Sequence, residues 1–175
     1  VALAFALTQV TSLMGYLAAT TLFLKACGAQ YLPWAFLSGY LMALVVSATL
    51  RRLRDTPPFT LLAVAFTAFA VFQGLASLAG TEGGFGLRWL ILTGVVPFPV
   101  LCWMLFWNTL QARLLLREVK LWTPLIMAIA TLGQVCTGLI TGPLGKAIGV
   151  QNLLLVSGIS LLLSIAVLRW ALTGG

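Results

Sequence analysis

Leu61-Leu-Ala-Val-Ala-Phe66 is continuously apolar and lies inside residues 56–81, a stretch that contains no charged side chain. The other uncharged stretches of comparable length are 1–24, 26–50, 89–112, 121–145 and 147–168. Each is close to the roughly 20 residues that an α-helix needs to cross a bilayer. A transmembrane β-strand would instead alternate polar and apolar residues over about ten positions. The sequence therefore predicts an all-α protein, a polytopic membrane bundle of six transmembrane helices.

The composition excludes a water-soluble domain. The chain has 175 residues, of which 61% are hydrophobic and 7% charged, and its mean hydropathy is +1.09. Soluble domains carry about 25% charged residues. A chain with so few charges needs an apolar environment, so we expect the lipid bilayer to be its partner. The net charge of +7 comes from Lys and Arg in the short intervals between apolar stretches, where membrane proteins collect them. No patch of basic and aromatic residues indicates nucleic-acid binding.

Prolines, glycines and charges mark the expected ends of the spans. We predict a single domain, residues 1–175, with spans at about 1–24, 33–50, 59–79, 88–110, 122–142 and 152–171. Pro97-Phe-Pro99 should kink or interrupt the fourth span, and Pro143-Leu-Gly-Lys-Ala-Ile-Gly149 should form the last turn. The chain begins with Val1 and shows no clear signal sequence, so we expect it to be a fragment of a longer protein.

The distribution of basic residues predicts the orientation of the bundle. One side is expected to hold Arg51, Arg52, Arg54, Arg113, Arg117, Lys120 and Arg169. The opposite side is expected to hold only Lys25, Arg88 and Lys146. Because cytoplasmic loops are enriched in Lys and Arg, we predict that both chain ends lie in the cytoplasm.

No catalytic, metal or cofactor site is predicted. The chain contains no histidine, and its three cysteines, Cys27, Cys102 and Cys136, are far apart in sequence. A zinc site or a disulfide framework would need closely paired cysteines. The uncharged spans supply no acid, base or nucleophile constellation for catalysis. We therefore expect a protein that is not an enzyme and that has no metal and no cofactor.

Uncharged polar side chains inside the spans are the candidate substrate-lining residues. They are Tyr16, Thr20, Asn108, Gln111 and Gln134. Thr8, Ser12, Tyr16 and Thr20 recur every four residues and form a stripe on span one. The stripe is open to two interpretations, a hydroxyl-lined surface that faces a solute or a set of helix-to-helix hydrogen bonds worth about 0.6–2 kcal/mol each. The sequence favours the second interpretation.

Two further motifs have alternative interpretations. Arg117-Glu118-x-Lys120 follows span four and is either a solvated rim or a gate in which Arg and Glu exchange ion-pair partners. A surface ion pair contributes only about 0–1 kcal/mol, so only the switching role would make this cluster important. Gly138-x3-Gly142 in span five predicts the close approach of a neighbouring helix, and a helix of the same chain is favoured over one of a second chain.

Several segments, taken together, resemble one transporter family. They are Leu22-Phe-Leu-Lys-Ala-Cys-Gly-Ala-Gln-Tyr-Leu-Pro33, Phe106-Trp107, Arg117-Glu-x-Lys120, Gly138-Leu-Ile-Thr-Gly142 and Gly149-Val-Gln-Asn-Leu-Leu-Leu155. Similar segments follow in the same order in the bacterial and plastid ATP:ADP antiporters. The resemblance covers nearly the whole chain and implies the amino-terminal six-helix half of a major-facilitator-like bundle, in a bacterial inner membrane or a plastid or thylakoid-type membrane. It also implies a partner, either a second membrane half, a second copy of this chain or a larger membrane complex.

The chain departs from this family in span one. Family members carry a basic and an acidic residue there, which are implied to engage nucleotide phosphate. Ungapped matching places Tyr16 and Thr20 at these positions, and Ala19 at a further basic position of some members. Phosphate needs cationic partners in a low-dielectric site. We therefore expect a non-transporting membrane anchor or a structural subunit of a larger assembly. The alternative is a nucleotide-type solute transporter, or a half-transporter that works as a dimer or with a second half.

Overall fold

A computed structural model of the chain describes residues 2–53, 55–79, 84–112 and 116–173. These residues form a short 3-10 turn, Ala29–Tyr31, and seven α-helices: α1 (Ala2–Cys27), α2 (Leu32–Arg52), α3 (Pro58–Ala79), α4 (Phe85–Val95), α5 (Phe98–Gln111), α6 (Leu116–Ile148) and α7 (Val150–Thr173). Because α4 and α5 together form one long apolar segment, six segments are long and apolar enough to cross a membrane. The chain is therefore an all-helical, multi-pass integral membrane protein, as the sequence predicted.

The break between α4 and α5 lies where the sequence predicted it. Helix α4 ends at Val95 and α5 begins at Phe98, with Pro97 between them. Pro97 and Pro99 both lack a backbone N–H, so two hydrogen bonds of the helix are lost within three residues, and each ring crowds the preceding turn. The interruption of span four by Pro97-Phe-Pro99 is confirmed.

Two segments that the sequence assigned to connections are helical. Helix α6 continues through Pro143 to Ile148, so the prediction of a turn that begins at Pro143 is wrong. The helix also starts at Leu116, which places Glu118 and Lys120 in its first turns and not in a loop. A membrane helix tolerates an internal proline because neighbouring helices, hydroxyl side chains and local changes of helix geometry satisfy the backbone groups that the proline leaves unpaired. The reversal into α7 occurs instead at Gly149, whose φ of 88° favours glycine.

Helix α1 is the centre of the bundle. It packs against α7, α6 and α4, while α3 packs against α7 and α5. Helix α2 is peripheral and packs mainly against α4 through its buried small residues Ala35, Gly39 and Ala43. A β-carbon on Gly39 would lie 2.7 Å from Val96, so glycine is required for this close approach. The Ser38 and Thr93 hydroxyl oxygens add a hydrogen bond of 3.0 Å between the two helices.

The helix contacts have an internal symmetry. The two halves α1–α3 and α4–α7 can be exchanged so that α1 takes the place of α4–α5, α2 the place of α6, and α3 the place of α7. The contact of α1 with α7 then becomes that of α4–α5 with α3, and the contact of α1 with α6 becomes that of α4–α5 with α2. Both members of each pair are present, and the contacts of α1 with α4 and of α3 with α7 map onto themselves. The paired contacts differ in extent, and a clear difference is that α6 packs against α7 whereas α2 and α3 make no comparable contact within the described residues.

Candidate functional site

A buried polar cluster lies where α1, α3 and α7 cross. The Ser157 hydroxyl is 2.8 Å from the backbone oxygen of Thr11 and 3.0 Å from the side-chain oxygen of Gln73. Both side chains are 0% exposed. A β-carbon on Gly15 would overlap the Gln73 amide nitrogen and lie 2.9 Å from the Ser157 hydroxyl oxygen. The absence of a side chain at Gly15 therefore makes room for the buried Gln73 amide.

A second polar contact joins α1 to α6. The side-chain amide of Gln134 donates to the side-chain oxygen of Gln9 at 2.8 Å, and Gln9 is 6% exposed. The amide nitrogen of Gln9 is buried without a hydrogen-bond partner within the described residues. Gln134 therefore acts in helix packing in this structure, and it lines none of the cavities described below.

The Gln9–Gln134 hydrogen bond should be measurable as a coupling energy. We expect a double-mutant cycle with Gln9→Met and Gln134→Met to give a coupling free energy of about 0.6 kcal/mol, with about 1.7 kcal/mol as the upper limit for membrane proteins. Methionine keeps the length of the side chain and removes both amides, so packing changes stay small. The measurement is unfolding of the purified protein in mixed SDS and dodecylmaltoside micelles. Strictly additive effects of the two substitutions would contradict the contact.

The burial of the hydroxyl stripe of span one changes along the helix. Thr8 is 2% exposed and Ser12 is 3% exposed, whereas Tyr16 and Thr20 are only partly buried. An α-helix has 3.6 residues per turn, so residues spaced by four drift about 40° per step. Over three steps the stripe turns from the interior towards the side of α1 that is partly exposed. Thr8 donates to the backbone of its own helix, at the oxygen of Ala4, and so it makes no helix-to-helix bond.

The predicted substrate-lining residues do not form one site. Tyr16 stacks against Phe36 of α2, with ring centroids 6.2 Å apart, and Thr20 lies about one helical turn further along α1. Gln134 of α6 pairs with Gln9 of α1. Asn108 and Gln111 lie at the far end of α5 and share a different cavity. The five residues thus occupy three separate places, and the cavities described here do not bring them together.

Asn108 and Gln111 line a cavity of about 490 Å³ near the end of α2. Arg51 and Thr56 line the same cavity, so a guanidinium group, a hydroxyl and two side-chain amides surround one space. A guanidinium is always charged and presents several N–H donors, which suits an anionic group with several oxygens. From the sequence the two amides are candidate lining residues, whereas the orientation of the bundle is a sufficient explanation for Arg51.

Gly138 and Gly142 do not act as the sequence predicted. A β-carbon at either position would meet no atom within 4 Å among the described residues, so no helix of this chain approaches them closely. For packing inside the chain the prediction is wrong, and packing against a second chain stays a prediction. Both glycines instead line a cavity of about 460 Å³ between α1, α6 and α7, together with Lys25 and Lys146.

The rim motif is only partly described. The side chain of Arg117 lies outside the described residues, as do Arg54 and Arg113. Glu118 and Lys120 are exposed at the start of α6, and Glu118 makes an interaction with another group. The gate interpretation of Arg117, Glu118 and Lys120 stays a prediction.

The chemistry available in the described residues is that of neutral polar groups and a few cations near helix ends. No group of three or more His, Cys, Asp or Glu residues that could hold a metal ion occurs in this part of the chain. The buried polar groups are hydroxyls and amides, which donate and accept hydrogen bonds but supply no charge to a substrate. Comparison of the chain with protein-family models, with curated proteins and with solved structures gives no match.

Proposed function

We propose that this chain is a membrane-embedded helical domain that serves as an anchor or structural subunit of a larger assembly and does not itself carry nucleotides. The observation that supports this proposal best is the burial of the polar groups in the spans. Gln73, Ser157 and Thr11 are 0% exposed, and the Ser157 hydroxyl lies within hydrogen-bond distance of the Gln73 side-chain oxygen and of the Thr11 backbone oxygen, so these contacts join three helices. Groups held in this way stabilise the association of helices and are not available to a solute.

The electrostatics of the spans support the same proposal. Intramembrane charged residues usually mark a path for ions or substrates. In this chain the middle of each of the six spans is formed by an uncharged stretch. A nucleotide carries several phosphate charges, and binding it in a low-dielectric site requires cationic partners. Tyr16 and Thr20, which match the charged positions of the antiporters, provide a phenol and a hydroxyl.

A half-transporter is the second candidate, and the symmetry of the helix contacts favours it. Major-facilitator transporters contain inverted repeats of three helices within each six-helix half. Exchange of α1–α3 with α4–α7 retains most of the helix contacts of this chain. A transport path in that architecture lies between two halves, so this candidate requires a second half or a second copy of the chain. We further propose that both chain ends lie on the cytoplasmic side, on the basis of the basic residues near the ends of spans two, four and six.

A transport assay with the whole chain tests this proposal. We expect proteoliposomes that contain the purified protein and internal ADP to show no saturable uptake of labelled external ATP above that of empty liposomes. The double variant Tyr16→Lys/Thr20→Asp, which places a basic and an acidic residue at positions that are only partly buried, should remain folded. Robust exchange of ATP for ADP by the unmodified protein would overturn the proposal and would favour the half-transporter.

A further inference from the structure

A long apolar cleft separates α2 from α3 at the surface of the bundle. Its volume is about 400 Å³, within the range of about 300–1,000 Å³ that is typical of ligand pockets. Its surface is carbon almost throughout, with Met42, Val46, Phe69, Phe72, Phe98 and Leu101 among the lining residues. The residues from Gly94 to Leu105 that border it belong to span four, at the break between α4 and α5. A cleft of this composition suits a hydrocarbon chain and no polar solute.

The symmetry of the helix contacts shows that this space is unusual within the fold. The equivalent of α2 and α3 under the exchange is α6 and α7, and these two helices pack against each other. Between α2 and α3 the cleft replaces that packing. Side chains that border a void lose their dispersion contacts on one side. A bound hydrocarbon chain would restore those contacts along Val46, Ala65 and Phe69.

The cleft becomes polar at one end. It adjoins the cavity that contains Arg51, since Leu50, Leu61 and Leu105 line both spaces. Helix α2 ends at Arg52, so Arg51 lies where span two leaves the hydrocarbon layer. Arg51 is the one ionised side chain that lines this cavity among the described residues. The combined groove therefore runs from an apolar part within the membrane to a cationic part at its boundary.

We propose that this groove is a binding site for one anionic phospholipid, with an acyl chain between α2 and α3 and the phosphate at Arg51. A phospholipid in the bilayer has its hydrocarbon chains inside the membrane and its charged phosphate at the boundary, which matches the apolar and cationic parts of the groove. Basic pockets between transmembrane helices bind anionic head groups, and the amides of Asn108 and Gln111 add donors for phosphate or glycerol oxygens. A zwitterionic lipid carries an additional ammonium group, and no described carboxylate lines the cavity to pair with it.

Native mass spectrometry of the detergent-purified whole chain tests the proposal. The probes are phosphatidylglycerol and phosphatidylcholine with identical acyl chains. We expect one bound phosphatidylglycerol at a concentration about tenfold lower than phosphatidylcholine requires. Both lipids present a phosphate to Arg51, but the choline ammonium would lie beside the guanidinium as a like charge, whereas the glycerol hydroxyls can accept from the Asn108 and Gln111 amides. Equal binding of the two lipids would overturn the proposal, because it would indicate lipids that coat the surface without recognition of the head group.

Two matched pairs of variants locate the site. Arg51→Gln should reduce the preference for phosphatidylglycerol about tenfold, whereas Arg52→Gln should not, because Arg52 does not line the cavity. Ala68→Phe places a ring in the cleft and should reduce binding of both lipids, whereas Thr67→Phe adds the same ring at an adjacent exposed position outside it. Equal effects within either pair, or unchanged binding by Arg51→Gln and Ala68→Phe, would refute the proposed site.

Discussion

Replacement of Gly15 by leucine is expected to lower the free energy of unfolding by about 3 kcal/mol, since overpacking of a well-packed core costs about 1–3 kcal/mol and occasionally more. The β-carbon alone would overlap the side-chain amide of Gln73 and approach the Ser157 hydroxyl. Gln73 has no exposed surface through which it could move away. The substitution must therefore separate α1 from α3 or break the hydrogen bond between Gln73 and Ser157. Unfolding in mixed detergent micelles measures the loss.

Gly142→Leu is the matched control for this prediction. Gly142 is also a glycine within a transmembrane helix, but its side-chain position meets nothing within 4 Å among the described residues. We expect its substitution to change stability by no more than about 0.5 kcal/mol. The double variant Gly15→Ala/Gln73→Ala should lose less free energy of unfolding than the two single variants lose in sum, because the shorter residue 73 removes the overlap. Equal losses for Gly15→Leu and Gly142→Leu would contradict the described crossing of α1 and α3.

Replacement of Phe66 by alanine is expected to lower the free energy of unfolding by about 2–3 kcal/mol. Phe66 is 1% exposed and its ring contacts that of Phe98 edge to face, with centroids 5.7 Å apart. In a water-soluble core the same change costs about 3–5 kcal/mol. The value should be smaller here, because the separated helices remain in lipid and the transfer from water does not contribute. What remains is the loss of dispersion contacts around the cavity.

Phe85→Ala provides the comparison for Phe66. Phe85 is 50% exposed at the start of α4 and contacts only the rings of Tyr31 and Trp89 among the aromatic side chains of the described residues. We expect a loss of about 1 kcal/mol or less, as aromatic pairs contribute about 0.5–1.5 kcal/mol. Thermal unfolding monitored by circular dichroism in detergent would rank the two variants. A larger loss for Phe85→Ala would be inconsistent with the interior position of Phe66.

The spans could be predicted from the sequence because one strong physical requirement decides them. Hydrocarbon excludes charge and unpaired backbone groups, so the positions of the charged residues alone delimit the helices. The same requirement explains the error at Pro143. In water a proline in that context, followed by Gly145 and Gly149, indicates a turn, whereas α6 continues past Pro143 and ends only at Ile148.

The candidate site could not be predicted to the same extent, because it depends on which helices meet. Nothing in the local sequence distinguishes Gly15, which faces Gln73 and Ser157 across two helix contacts, from Gly142, which faces a cavity. The hydroxyl stripe of α1 has the spacing of four residues that the sequence shows. Its burial changes along the helix because a repeat of four residues does not match 3.6 residues per turn. The sequence explains Arg51 by the orientation of the bundle, and its position beside a cavity appears only when α2, α3 and α5 are placed together.

The central position of α1 has a consequence for how the protein is made. Its main partners, α6 and α7, lie at the other end of the chain, and domains are synthesised from the amino terminus. Span one also has the lowest mean hydropathy of the six, 1.3, since it contains Thr8, Gln9, Thr11 and Ser12. Until α6 and α7 have been inserted, these side chains lack the helices that cover them in the folded bundle. A nascent chain that stalls before α6 therefore displays an uncovered polar helix face, the kind of feature that a membrane chaperone or protease can recognise.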